Sequence, residues 1–221
     1  ILTVRYLGAS TISDAFITAW KVPNSLRKIF AEGALSAAFV PSIVQTIHNK
    51  GKHAVSNLIT LGFIIFESMV LGVCIALMSF PSFFISLIAP GFSAEQVALA
   101  SKFLTILMPF IFLISTSALL AGALQAVGHF FIPAFGPVLL NIVYILGLVL
   151  CLQYNLPVTA LCWFIMVGGV LQLIAHLIAY LKNGLSFGTI ESQDMEKFSA
   201  ILMRFFWALL SMSAMEIGLF I

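Results

Sequence analysis

Charge is the scarcest property of this chain. Ten Lys and Arg and eight Asp and Glu are spread over 221 residues, 8% of the total, where soluble domains carry about 25%. Eighteen charges cannot coat a soluble globule of this length, which excludes a soluble enzyme and a nucleic-acid binder. Disorder is excluded for the opposite reason: it needs low hydrophobicity and high charge, and 62% of these residues are hydrophobic. Cysteine is also scarce. Cys74, Cys151 and Cys162 all fall inside apolar runs. Their number is odd, their spacing does not suit zinc, and no His is near them in sequence. They read as small buried hydrophobes, and no cofactor or metal signature is present. The net charge of +2 is too small to imply a polyanionic partner. The chain opens on Ile1-Leu2-Thr3 with no basic leader, so no signal peptide is assigned. It stops within the apolar Gly218-Leu219-Phe220-Ile221, so both ends read as cut and a fragment of a longer protein is expected.

What the chain has in abundance is long apolar runs. About 20 such residues cross a ~30 Å hydrocarbon core as a helix. Four runs qualify: Leu58 to Phe80, broken only by Glu67; Phe103 to Val127, containing Pro109; Ile132 to Leu152, opened by Pro133 and Pro137; and Val158 to Leu181. A fifth starts near Ala200. A β-barrel would need ~10-residue segments alternating apolar and polar, and runs such as Ile145–Leu152 do not alternate. The class is an all-α polytopic membrane protein. The first 50 residues differ, being amphipathic and interrupted by Pro23 and Pro41. Residues from Thr11 to about Ile47 read as a broken, polar-faced helix.

Alternate connections must share one side of the membrane. The set 48–53, 128–131 and 182–199 holds Lys50, Lys52, Lys182 and Lys197, whereas 89–102 and 153–157 hold only Lys102. The positive-inside rule makes the first set cytoplasmic.

The informative charges lie in the first stretch. Asp14, Lys21, Arg27, Lys28 and Glu32 fall within nineteen residues. Seven residues advance two helical turns with ~20° of drift, so Asp14, Lys21 and Lys28 share a face. Glu32, four residues beyond Lys28, can pair with it. Arg27 points about 100° away. A charge at the membrane centre costs ~2.5–3.5 kcal/mol on insertion scales, so these groups must meet water, one another or a polar ligand. They form either the wall of a hydrophilic cavity or the solvated face of a helix in the headgroup region. Arg suits bidentate phosphate binding, and Lys acts as a point charge.

The same stretch resembles a known family. Asp14-Ala15-Phe16, Lys21-Val22-Pro23-Asn24, Leu26-Arg27-Lys28-Ile29-Phe30-Ala31-Glu32-Gly33-Ala34 and Ala38-Phe39-Val40-Pro41 are similar to the MurJ (MviN) lipid II flippases. Ala89-Pro90-Gly91-Phe92, Pro109-Phe110, Ile132-Pro133-Ala134-Phe135, Pro137-Val138-Leu139-Leu140-Asn141 and Val167-Gly168-Gly169-Val170-Leu171-Gln172 continue the resemblance in the same order. The resemblance implies a MATE/MOP-like helical bundle: about fourteen transmembrane helices in two lobes around a cationic cavity. Residues 1–182 would be the first lobe, 183–199 a cytoplasmic linker and 200–221 the truncated start of the next transmembrane helix. Roughly six transmembrane helices and a partial one are expected.

The implied task is translocation of the undecaprenyl-pyrophosphate-linked saccharide-peptide, lipid II, from inner to outer leaflet of the bacterial inner membrane by alternating access. The complete chain would act as a monomer among membrane lipids, driven by a coupling ion or the membrane potential. By the same resemblance, Arg27 with Lys28, Asp14 and Lys21 would line the central cavity, and Glu32 would pair with a cation or gate. Lys28 stands where some relatives have Arg. Two family arginines precede this chain and another follows it, so none of the three is carried over. Pro23, Gly33 and Pro109 are candidate bend points. Weaker cavity candidates are Asn141, Glu67 and Glu216. Asn141 and Gln172 read equally as helix-bridging hydrogen bonders, Glu67 as a partnered acid or an ion site, and His176 as interfacial. Trp20, Trp163 and Trp207 are candidate interface markers.

Three other functions compete. A drug exporter of the same superfamily would favour acidic and aromatic cavity groups. A lipid-phosphate enzyme would need clustered acids for magnesium or a nucleophile, and Glu191, Asp194 and Glu196 read as a solvated loop. A cell-wall assembly scaffold has no need of intramembrane charge.

Overall fold

The apolar runs fold as helices punctuated by Pro and Gly. The computed structural model describes the backbone of residues 2–8, 10–29, 35–50, 52–189 and 192–217, with side chains at these positions except 35–37, 50, 52–54, 192–197, 200 and 212–217. Among the described residues there are ten helices and no strand: α1 Leu2–Leu7, α2 Thr11–Arg27, α3 Leu35–Lys50, α4 Lys52–Ser79, α5 Pro81–Ile88, α6 Ala94–Leu107, α7 Pro109–Ala126, α8 Phe131–Gln153, α9 Val158–Lys182 and α10 Ser192–Ile217. Four stretches are long and apolar enough to cross a membrane: Val55–Ser79, Ala94–Ala126, Phe131–Gln153 and Val158–Lys182. Ile201–Ser211 is a shorter apolar helical stretch. The chain is an all-α polytopic membrane fold.

Two boundaries differ from the sequence reading. The connection expected over 89–102 ends at Ser93. There Ser93 Oγ accepts from the Gln96 amide at 3.3 Å, and the Gln96 side chain accepts from the Ser93 amide at 2.9 Å. This reciprocal cap starts α6, with Glu95 placed favourably in its first turn. Lys102 therefore sits inside α6, on its exposed side. The second difference is α5, a short helix opened by Pro81 at its first position, where a missing N–H costs nothing. Pro109 plays the same part for α7 and marks its boundary with α6. Pro23, by contrast, lies buried inside α2 without ending it.

Helix α7 is the axis of the bundle, touched by α2, α3, α4, α6, α8 and α9. Its buried residues, Phe110, Ile114, Ser115, Leu119 and Leu120 among them, run round its whole circumference, as a central helix requires. Two apolar cores flank it. One joins Phe16, Ile85, Phe103, Leu104, Phe110 and Ile165, with the Phe16 and Phe103 rings edge-on at 6.1 Å. The other joins Phe39, Ile59, Phe66, Leu119, Phe198 and Phe205, with Phe66 and Phe205 centroids 4.5 Å apart. Helices α8 and α9 pack along each other and expose Ile142, Ile145, Leu146, Trp163, Val167 and Ile174 outward. Such a face needs no polar cover when the solvent is lipid.

The stretch after α9 is held to the bundle. Tyr180 Oη donates to the Ser186 carbonyl at 2.7 Å, and the Gly188 amide donates to Thr60 Oγ1 at 2.9 Å. A Cβ on Gly188 would run into Asn57, including its backbone nitrogen at 2.9 Å. Helix α10 begins at Ser192, within the stretch expected to be linker, and buries Phe198, Ile201 and Phe205.

Candidate functional site

Helix α2 carries the site's one described cavity cation. Ser10 starts the helix by accepting from the Ser13 amide at 3.2 Å. Near the other end, Arg27 donates from Nε and Nη2 to Asn24 Oδ1, at 3.3 and 3.2 Å. Residues three apart meet on a helix, so Asn24 fixes the direction in which the guanidinium leaves α2. Arg27 is half-buried.

Two cavities meet at that guanidinium. The first, of 240 Å³, is lined by Arg27, Ser117, Gln125, Gln172 and His176 with Pro133 and Pro137. The second, of 370 Å³, is lined by Trp20, Asn24, Arg27, Asn141 and Tyr144. Arg27, Pro137 and Leu140 belong to both, so the two form one polar recess between α2, α7, α8 and α9. Pro137 lies inside α8 and has no N–H to give to the carbonyl one turn earlier. No Asp or Glu lines either cavity among the described residues.

Of the cavity candidates named from the sequence, the structure brings Arg27 and Asn141 together. Asp14 and Lys21 are exposed on α2 and border neither cavity; Lys28 is half-buried just beyond the helix end. Glu32 and Gly33 lie outside the described residues, as does the side chain of Glu216. Glu67 is away from the recess and 3% exposed. Its Oε2 accepts from Ser115 Oγ at 2.8 Å, a bond between α4 and α7, while Oε1 has no partner among the described residues. Trp163 and Trp207 are exposed. Trp20 instead faces inward, against Phe110 at 5.3 Å.

The sequence reading missed part of the wall. His176, expected at the interface, is 1% exposed and lines the recess. Its Nδ1 is 2.8 Å from the Gln172 carbonyl. Gln172 is 7% exposed, and its Oε1 has no partner among the described residues. The two are four apart on α9, and two polar residues on one face of an apolar helix are a legible signal. Asn24, Gln125 and Tyr144 carried no signal of that kind.

Comparison with known proteins places the chain among relatives of one kind. The family model described as "Lipid II flippase MurJ" matches residues 3–221. The probable lipid II flippase MurJ of Buchnera aphidicola subsp. Baizongia pistaciae is 36% identical over 194 residues, 83% of this chain and 36% of that protein. The lipid II flippase MurJ of Burkholderia cenocepacia is 36% identical over 184 residues, 80% of this chain and 35% of that protein. A solved structure of lipid II flippase MurJ in an inward closed conformation superposes with a TM-score of 0.78 at 28% identity, covering 96% of this chain and 43% of that one. The chain thus spans about a third of the length of these curated relatives.

Proposed function

The chain belongs to the MurJ lipid II flippase family, and from that premise we propose that the complete protein moves lipid II from the inner to the outer leaflet of the bacterial inner membrane. Residues 1–182 supply the first lobe, 183–199 the cytoplasmic linker and 200–221 the start of the following span. The observation that carries this reading is Arg27 at the meeting point of two cavities in an otherwise apolar bundle. A polar headgroup entering hydrocarbon loses its water partners, and a fixed guanidinium replaces them for a pyrophosphate, bidentately. The guanidinium in both cavity walls favours an anionic ligand over the cationic drugs of an exporter.

The exposed side of α2, with Asp14 and Lys21, faces the second lobe across the central cavity. Lys28 adds a second cation beside Arg27, and Glu32 pairs with a cation in one conformation. Asn141 contacts the ligand deeper in the recess. Rocking of the two lobes about this site gives alternating access, with the polyprenyl tail left in lipid. A coupling ion or the membrane potential drives the cycle, and the complete chain works as a monomer.

Complementation tests this reading. In cells depleted of their own precursor flippase, the complete protein should restore growth. Arg27→Ala should not, at equal expression and membrane insertion. Growth restored equally by Arg27→Ala would remove Arg27 from the mechanism.

A further inference from the structure

We propose that Gln172 and His176 form a hydrogen-bond-acceptor subsite beside Arg27, which takes the hydroxyl or amide N–H groups of the headgroup whose phosphate lies on the guanidinium. The proposal rests on the flippase reading and adds a basis for selectivity to it.

Four observations converge. Both side chains, on α9, line the same 240 Å³ cavity as Arg27 of α2. The His176 Nδ1 partner is a carbonyl, 2.8 Å away, and a carbonyl can only accept. Nδ1 therefore carries a proton, and in the neutral form of the ring Nε2 is an acceptor. Gln172 Oε1 is a buried acceptor with no donor among the described residues. Finally, α8 is cut away to admit the pair. A Cβ on Gly136 would lie 2.5 Å from His176 Cε1 and 3.2 Å from Gln172 Cγ, so the glycine holds ring and amide in one place.

The recess thus presents a cationic donor with neutral acceptors next to it. That pattern fits a phosphate flanked by donor groups, as in a saccharide pyrophosphate, better than a bare lipid pyrophosphate. A site built to hydrogen-bond a ligand group discriminates strongly against the analogue lacking it, because its own buried polar atoms are then left unpaired.

The test measures binding to the complete protein in nanodiscs with two probes: polyprenyl pyrophosphate bearing the saccharide-peptide headgroup, and bare polyprenyl pyrophosphate. Wild type should prefer the first by about tenfold or more, the effect of one buried hydrogen bond. Gln172→Leu and, independently, His176→Phe should each weaken the headgroup-bearing lipid about tenfold and the bare one by less than about twofold. Arg27→Ala should weaken both. Equal wild-type affinity for the two lipids overturns the subsite however the variants fold. So does an unchanged affinity for the headgroup-bearing lipid in both variants, or an equal loss on the two probes. If wild type binds neither lipid, the flippase reading itself falls, which separates the two failures.

Discussion

Gly136→Ala adds a single methyl group at the contact between α8 and α9. Carbon atoms in contact sit at about 3.5–4.0 Å, and the new Cβ would stand 2.5 Å from His176 Cε1, roughly 1 Å too close. His176 is 1% exposed, so the ring can retreat only into the recess it lines. Overpacking of this kind costs about 1–3 kcal/mol. If the ring swings away it also gives up its 2.8 Å bond to the Gln172 carbonyl, about 0.5–1.5 kcal/mol. Helix propensity returns about 0.5–1 kcal/mol, leaving a net loss of about 0.5–4 kcal/mol. Thermal unfolding of the purified complete protein, followed in detergent, should show a drop of several degrees. The decisive control is a double-mutant cycle with His176→Ala. Removing the ring removes the clash, so the two substitutions together should be less harmful than their sum by at least about 1 kcal/mol. A wild-type melting temperature for Gly136→Ala, or strict additivity, would refute the packing derived for this pair.

Two further substitutions probe the scaffold. Ser115→Ala removes the donor to Glu67 Oε2. Hydrogen bonds between membrane helices average about 0.6 kcal/mol with a maximum near 1.7, so a loss of about 0.5–2 kcal/mol is expected in the same melting assay. Ser115→Ala with Glu67→Leu should recover much of it, since replacing both partners of a buried bond with apolar groups is close to neutral; no recovery would mean the bond is not what Ser115 contributes. Gly188→Ala pushes a methyl group into Asn57 and breaks the Gly188–Thr60 bond. Limited proteolysis within 183–199 should accelerate at least severalfold, and an unchanged cleavage rate would contradict the docking of this stretch on α4.

The spans were legible because scarce charge makes hydropathy unambiguous. Errors arose where a helix is buried by protein rather than lipid. The first three turns of α6 carry Glu95, Gln96 and Lys102, which break the hydropathy, yet Ala100, Phe103 and Leu104 pack inward. The Ser93–Gln96 capping box was the available cue. Helix α5 was hidden inside one continuous apolar run, with Pro81 its only punctuation. Pro23 was expected to break α2 and does not; a missing N–H weakens one bond, and the packed neighbours of a buried proline hold the rest.

At the site, Arg27 stood out because a membrane segment rarely keeps an arginine without a use for it. The heptad argument put Asp14, Lys21 and Lys28 on one face and Arg27 on another. In the fold Arg27 borders the recess, whereas Asp14 and Lys21 are exposed and border neither cavity. Gln172 reads with Asn141 as a helix-bridging hydrogen bonder and His176 as interfacial, so that reading leaves the two unjoined. Their meaning comes from Gly136 on a neighbouring helix, which no spacing within α9 reveals.

The most direct measurement follows the lipid itself. In cells depleted of their own flippase and expressing the complete protein, labelled lipid-linked precursor should become accessible to an impermeant enzyme at the outer leaflet. With Arg27→Ala at equal membrane abundance, accessibility should fall to the depleted background. Accessibility at the wild-type level in that variant would show that the lipid crosses without the guanidinium at the centre of this recess.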